Sequence, residues 1–69
     1  MKITYDPSVD ALYIKFSSEM RRTEHWSDSI AADFDVDGHL VGVELLDASQ
    51  HFSDLSQLKT LEFEQCPTR

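Results

Sequence analysis

The twelve residues Asp33-Phe34-Asp35-Val36-Asp37-Gly38-His39-Leu40-Val41-Gly42-Val43-Glu44 admit two incompatible folds, and the choice between them constrains the rest of the chain. They satisfy every fixed position of the calcium-loop pattern D-x-[DN]-x-[DN]-G-x5-E. In such a loop, alternating carboxylates, a turn glycine and a distal glutamate surround a hard cation with oxygen. The same residues also read as two β-strands joined by Asp37-Gly38, a dipeptide that favours tight hairpin turns.

Register separates the two. With Asp37-Gly38 at the centre of the turn, Phe34 lies opposite Val41, Ala32 opposite Val43 and Ile30 opposite Leu45, so the apolar sides of both strands coincide. A slip of one residue sets Phe34 against Leu40 and Ala32 against Gly42, and turns Glu44 towards the core. A calcium loop needs a helix on each side. Gly42, between β-branched Val41 and Val43, stands where the exit helix should begin, and Val41 fills a position that commonly supplies a ligand. The hairpin is therefore the reading adopted. It turns Asp33 and Asp35 outward, puts Asp37 in the turn and sets Glu44 across from Ala31. The alternative is divalent-cation (calcium) binding through Asp33, Asp35, Asp37, the His39 carbonyl and Glu44.

The N-terminal stretch carries the same signal. Ile3 and Tyr5 alternate with Lys2 and Thr4, and Leu12, Ile14 and Phe16 alternate with Tyr13 and Lys15. Between them, Asp6-Pro7-Ser8-Val9-Asp10 has the residues of a turn. Pairing Ile3 with Ile14, Tyr5 with Leu12 and Met1 with Phe16 gathers six apolar side chains on one face. Residues 17–23 read as a polar connection. Trp26, Ile30, Ala32 and Phe34 share one parity, with Asp28 as the exception. After Leu46, residues 47–51 suit one helical turn, Asp54 and Gln57 resemble a capping box, and Leu55, Leu58 and Leu61 would line a short helix. Residues 61–64 alternate, so they suit either a final strand or an extension of that helix, and the last four residues are expected to fray.

The expected fold is α+β: one domain over residues 1–69, with an antiparallel sheet of about four strands built from two β-hairpins (1–16 and 24–46) and a partly helical tail (47–69). The expected core is Ile3, Tyr5, Leu12, Ile14, Phe16, Ile30, Ala32, Phe34, Val41, Val43 and Leu45. A domain of this size buries roughly 60% of the surface that its unfolded chain exposes, which leaves its stability marginal and favours self-association.

Met1-Lys2-Ile3-Thr4-Tyr5-Asp6-Pro7 and Asp10-Ala11-Leu12-Tyr13-Ile14 resemble the opening of a family of small bacterial proteins known as domain of unknown function 2283. Its second half is similar to Asp33-Phe34-Asp35-Val36-Asp37-Gly38 and to the run from Leu40 to Ser49. The resemblance implies a compact β-rich domain, predominantly bacterial, with an acidic turn in its framework. It supplies no catalytic residues.

Composition narrows the function classes. Six Lys and Arg against thirteen Asp and Glu give a formal charge of −7, which disfavours nucleic acid as a partner. No apolar run reaches the ~20 residues of a membrane span, and the N-terminus reads straight into a strand pattern, so no leader peptide and no membrane partner are expected. The single cysteine, Cys66, suits a reducing cytoplasm. His25, His39 and His51 lack ligand spacing, and the two glycines make no phosphate loop. No cofactor and no catalytic residue are expected. The function expected is a non-enzymatic, cytoplasmic protein-interaction module acting as a homodimer, with Tyr13, Trp26, Leu40 and Leu46 as interface candidates. An acidic chain of this kind can mask a basic surface on a protein partner, as an antitoxin-like regulator would. A small-molecule enzyme assembled at a dimer interface is a third reading.

Overall fold

A computed structural model describes residues 1–17 and 19–60. Five strands, β1 (Lys2–Asp6), β2 (Ala11–Lys15), β3 (Arg22–His25), β4 (Ile30–Phe34) and β5 (Leu40–Leu45), form one sheet in the order β1-β2-β5-β4-β3. Every neighbouring pair is antiparallel. One helical turn, α1 (Ala48–His51), and a 3-10 helix, Leu55–Thr60, follow.

The sheet thus has five strands where about four were expected, because residues 22–34 hold two. The chain reverses at Ser27, whose Oγ accepts the Ser29 and Ile30 amides, and Trp26 N–H closes the turn onto the Ile30 carbonyl at 2.9 Å. Asp28, the residue that broke the parity, lies in this reversal. The preceding polar stretch contributes the edge strand β3, all four residues of which are exposed.

The first hairpin has the expected register, with Ile3 opposite Ile14 and Tyr5 opposite Leu12. In the second, Ile30 faces Leu45 and Ala32 faces Val43, also as expected, but Phe34 faces Leu40 rather than Val41. The turn is a three-residue loop, closed by Asp35 N–H to the His39 carbonyl, with Gly38 at φ 84°. A type I turn followed by a left-handed glycine suits this loop length. One residue is gained in the loop and one in a bulge where the register shifts beside Asp33 and Phe34. The two offsets cancel, which preserves the pairing further along. The bulge moves Leu40 onto the same face as Phe34, not the opposite one.

β2 joins the two hairpins by pairing with β5, which places Leu12 beside Leu45 and Ile14 beside Val43. Leu12, Ala31, Ala32, Val41 and Ala48 are the buried apolar residues among those described. Tyr5 and Phe16, expected in the core, lie at its rim and are more than a third exposed. Leu55 and Leu58 of the 3-10 helix face Ile3, Tyr5 and Leu12 across a hollow of about 380 Å³. The expectations for residues 61–64, including Leu61 as part of the helix face, and for the last four residues, 66–69, lie outside the described residues.

Candidate functional site

On the face opposite the main apolar set, four strands meet at one buried carboxylate. Asp33 on β4 is 9% exposed, although alternation alone had turned it to solvent. Tyr13 Oη on β2 donates to Asp33 Oδ2 at 2.6 Å, and Thr23 Oγ1 on β3 donates to Asp33 Oδ1 at 2.6 Å. Between them runs β5, where Gly42 faces both Asp33 and Lys15 in register. The tyrosine reaches across because Gly42 has no side chain: a Cβ there would overlap Tyr13 Oη and press on the Ile14 carbonyl. Glycine inside a strand often marks such a close approach. The hydrogen bond to Asp33, then burial, push the Tyr13 hydroxyl up to about 12.

A second polar knot ties the first turn to α1. Asp10 adopts a left-handed backbone, φ 53°, and its carboxylate accepts Tyr5 Oη at 2.6 Å, Ser49 Oγ at 2.6 Å and Ser49 N–H at 3.0 Å. Its carbonyl accepts Ala48 N–H at 2.9 Å. The Ser49 hydroxyl, then that of Tyr5, holds the Asp10 carboxyl below its ordinary value. Asp6 is likewise lowered by Ser8, which donates both its hydroxyl and its amide.

The acidic turn is the third cluster. Asp35, Asp37 and His39 bring one ligand atom each within 4.8 Å of one another. Asp35 Oδ1 already accepts Asp37 N–H at 2.9 Å and His39 N–H at 2.8 Å, and the His39 amide, then that of Asp37, lowers its pKa. The rest of the calcium-loop set is elsewhere. Asp33 is turned across the sheet to Tyr13 and Thr23, and Glu44 stands in register with Ala31 and Tyr13. The flanking elements are strands β4 and β5, not helices.

The interface candidates separate. Tyr13 belongs to the Asp33 network. Trp26 and Leu40 are exposed near Phe34 on the apolar face: the Trp26 and Phe34 ring centroids are 6.5 Å apart, and Leu40 pairs with Phe34. The Arg22 guanidinium lies 4.5 Å from the centre of the Phe34 ring and pairs with Glu24. Leu46, also exposed, follows the end of β5, where its amide donates to the Ser29 carbonyl. Sequence reasoning missed Asp33, Thr23 and Asp10 as network residues. Gly42, in register with Asp33 and diagonal to Tyr13, was the available signal.

A family model described as a protein of unknown function (DUF2283) matches residues 2–49, and the chain belongs to that family. No curated protein and no solved structure matches the chain. The matched segment contains both polar knots.

The folded state favours the neutral Tyr13 hydroxyl. Its stabilisation is therefore full below the unfolded value near 10 and is lost as pH rises through about 12. Chemical denaturation across that window should show the loss in the native chain and less of it in Tyr13→Phe, which at neutral pH is itself destabilised by about 1–2 kcal/mol. A window unchanged by Tyr13→Phe would contradict this assignment.

Gly42→Ala must expel the tyrosine hydroxyl, so its cost should shrink markedly in a Tyr13→Ala background; strict additivity in the double-mutant cycle would count against the packing described. Calcium titration followed by amide NMR should leave the Asp33 and Glu44 amides unmoved, with any response confined to residues 35–39. Saturation that moves all three regions together would restore the calcium-loop reading.

Proposed function

We propose that this member of the DUF2283 family is a non-enzymatic protein-interaction module that works as a homodimer. The observation that carries this reading is the uneven cover, among the described residues, of the sheet's apolar face. Over β1 and β2 that face is capped by Leu55 and Leu58. Towards β3 it carries Trp26, 56% exposed, with Phe34 and Leu40 beside it. Tryptophan and arginine are the side chains that most often dominate binding energy when a partner covers them, and Arg22 lies against the same ring cluster.

The polar chemistry points the same way. The carboxylates of Asp33, Asp10, Asp6 and Asp35 are engaged by hydroxyls and amides of the chain itself. The hollow beneath the 3-10 helix is lined by four aliphatic residues and Tyr5, whose hydroxyl is committed to Asp10. These arrangements support a binding role over catalysis. The charge of −7 favours a partner that offers a basic surface.

Trp26 is the single tryptophan of the chain and reports on this surface directly. Light scattering of the full chain should give the mass of a dimer that dissociates on dilution, and Trp26 emission should move to longer wavelength as it does. Trp26→Ala should shift the equilibrium towards monomer without loss of the far-UV circular dichroism signal. A chain that scatters as a monomer at every concentration, with unchanging emission, would refute the homodimer.

A further inference from the structure

We infer that a second copy of this chain docks edge to edge along β3, antiparallel and centred on Thr23, extending the sheet across the dimer; this rests on the homodimer reading and specifies its interface. β3 is at one end of the strand order, and its four residues are exposed. Trp26 N–H is bonded to the Ile30 carbonyl, so the backbone groups of Trp26, Glu24 and Arg22 point towards β4. By the alternation of antiparallel pairing, those of Thr23 and His25 point outward, with no strand beyond them among the described residues, whereas Arg21 N–H turns in to the Phe34 carbonyl at 2.8 Å. An unpaired edge of this kind is a template for another strand.

Charge selects the register. Outward groups must meet outward groups, which leaves few symmetric alignments. Centring on Arg22 sets that cation against its own copy, and centring on Glu24 does the same with two carboxylates. Centring on His25 engages only the end of the strand. With Thr23 at the two-fold axis, Arg22 faces the partner's Glu24 and Glu24 faces the partner's Arg22. Both residues now pair within the chain, on its exposed surface, and exchanging that contact for the equivalent one across the axis strands no charge.

One further feature fits this register. It centres the contact on Thr23, whose side chain is fixed from beneath by Asp33. Charges on an edge ordinarily repel a copy of the same strand. Here a cation and an anion two residues apart on one side make the strand complementary to itself. The opposite edge, β1, offers Lys2 and Asp6, but Asp6 is turned into its own loop by Ser8, and Pro7 beside it has no N–H to donate.

Sedimentation velocity on the full chain tests the inference through a charge swap. Arg22→Glu alone and Glu24→Arg alone each place like charges across the axis and should weaken the dimer by about a hundredfold. An equimolar mixture of the two variants should recover a dimer containing one copy of each. The double swap Arg22→Glu with Glu24→Arg in a single chain should dimerise like the native protein, which guards against a fold defect in either single variant. If the native chain is a monomer throughout, the homodimer reading fails and this inference with it. If the native chain is a dimer that the single swaps leave intact, or the mixture and the double swap stay monomeric while folded, the dimer stands and the β3 register is wrong.

Discussion

The sheet depends on a carboxylate that has been taken out of water. Asp33 is among the few buried polar residues described, and leaving such a group without partners would cost several times what an ordinary hydrogen bond contributes. Tyr13 and Thr23 prevent that by donating to its two oxygens. One residue thereby links β2, β4 and β3 over the backbone of β5, and Gly42 is the opening that lets the link pass. Hydroxyl, carboxylate and glycine act as a unit, since removing any one leaves the others in contact with nothing or with too much.

The small apolar core explains why such polar ties matter. Leu12 is the only large side chain described as almost fully enclosed, and the other buried apolar residues are alanines and a valine. A 69-residue domain with one cysteine has no disulfide framework to supplement that core. The knot at Asp10 serves the opposite end of the molecule. Its left-handed backbone aims the carbonyl at Ala48 and the carboxylate at Ser49, closing α1 against the first hairpin. The family match covers the interval that holds both ties and ends at Ser49.

The acidic segment shows how a spacing pattern can be satisfied by residues with unrelated tasks. Asp35 caps its own turn, Asp33 is an internal strut, Asp37 lies in the loop and Glu44 belongs to a different part of the sheet. A calcium loop needs its oxygens to converge, whereas a strand sends alternate side chains to opposite faces and spreads them along its length. Gly38 suits both loops, because a left-handed backbone is required in each.

Both hairpins and most of their internal pairing are legible along the chain. Alternation of apolar residues and the turn chemistry at Asp6-Pro7 and Asp37-Gly38 are local signals, acting between residues close along the chain. Even the error at Phe34 was local, since a longer loop and a bulge offset each other. It takes the assembled sheet to make residues 22–25 a fifth strand, to pair β2 with β5 and to bury Asp33. Those outcomes rest on bonds between elements distant along the chain, as between Tyr13 and Asp33, 20 positions apart. No periodicity along a chain records which distant residue will supply the missing hydrogen-bond partner, because that is fixed only when the strands come together.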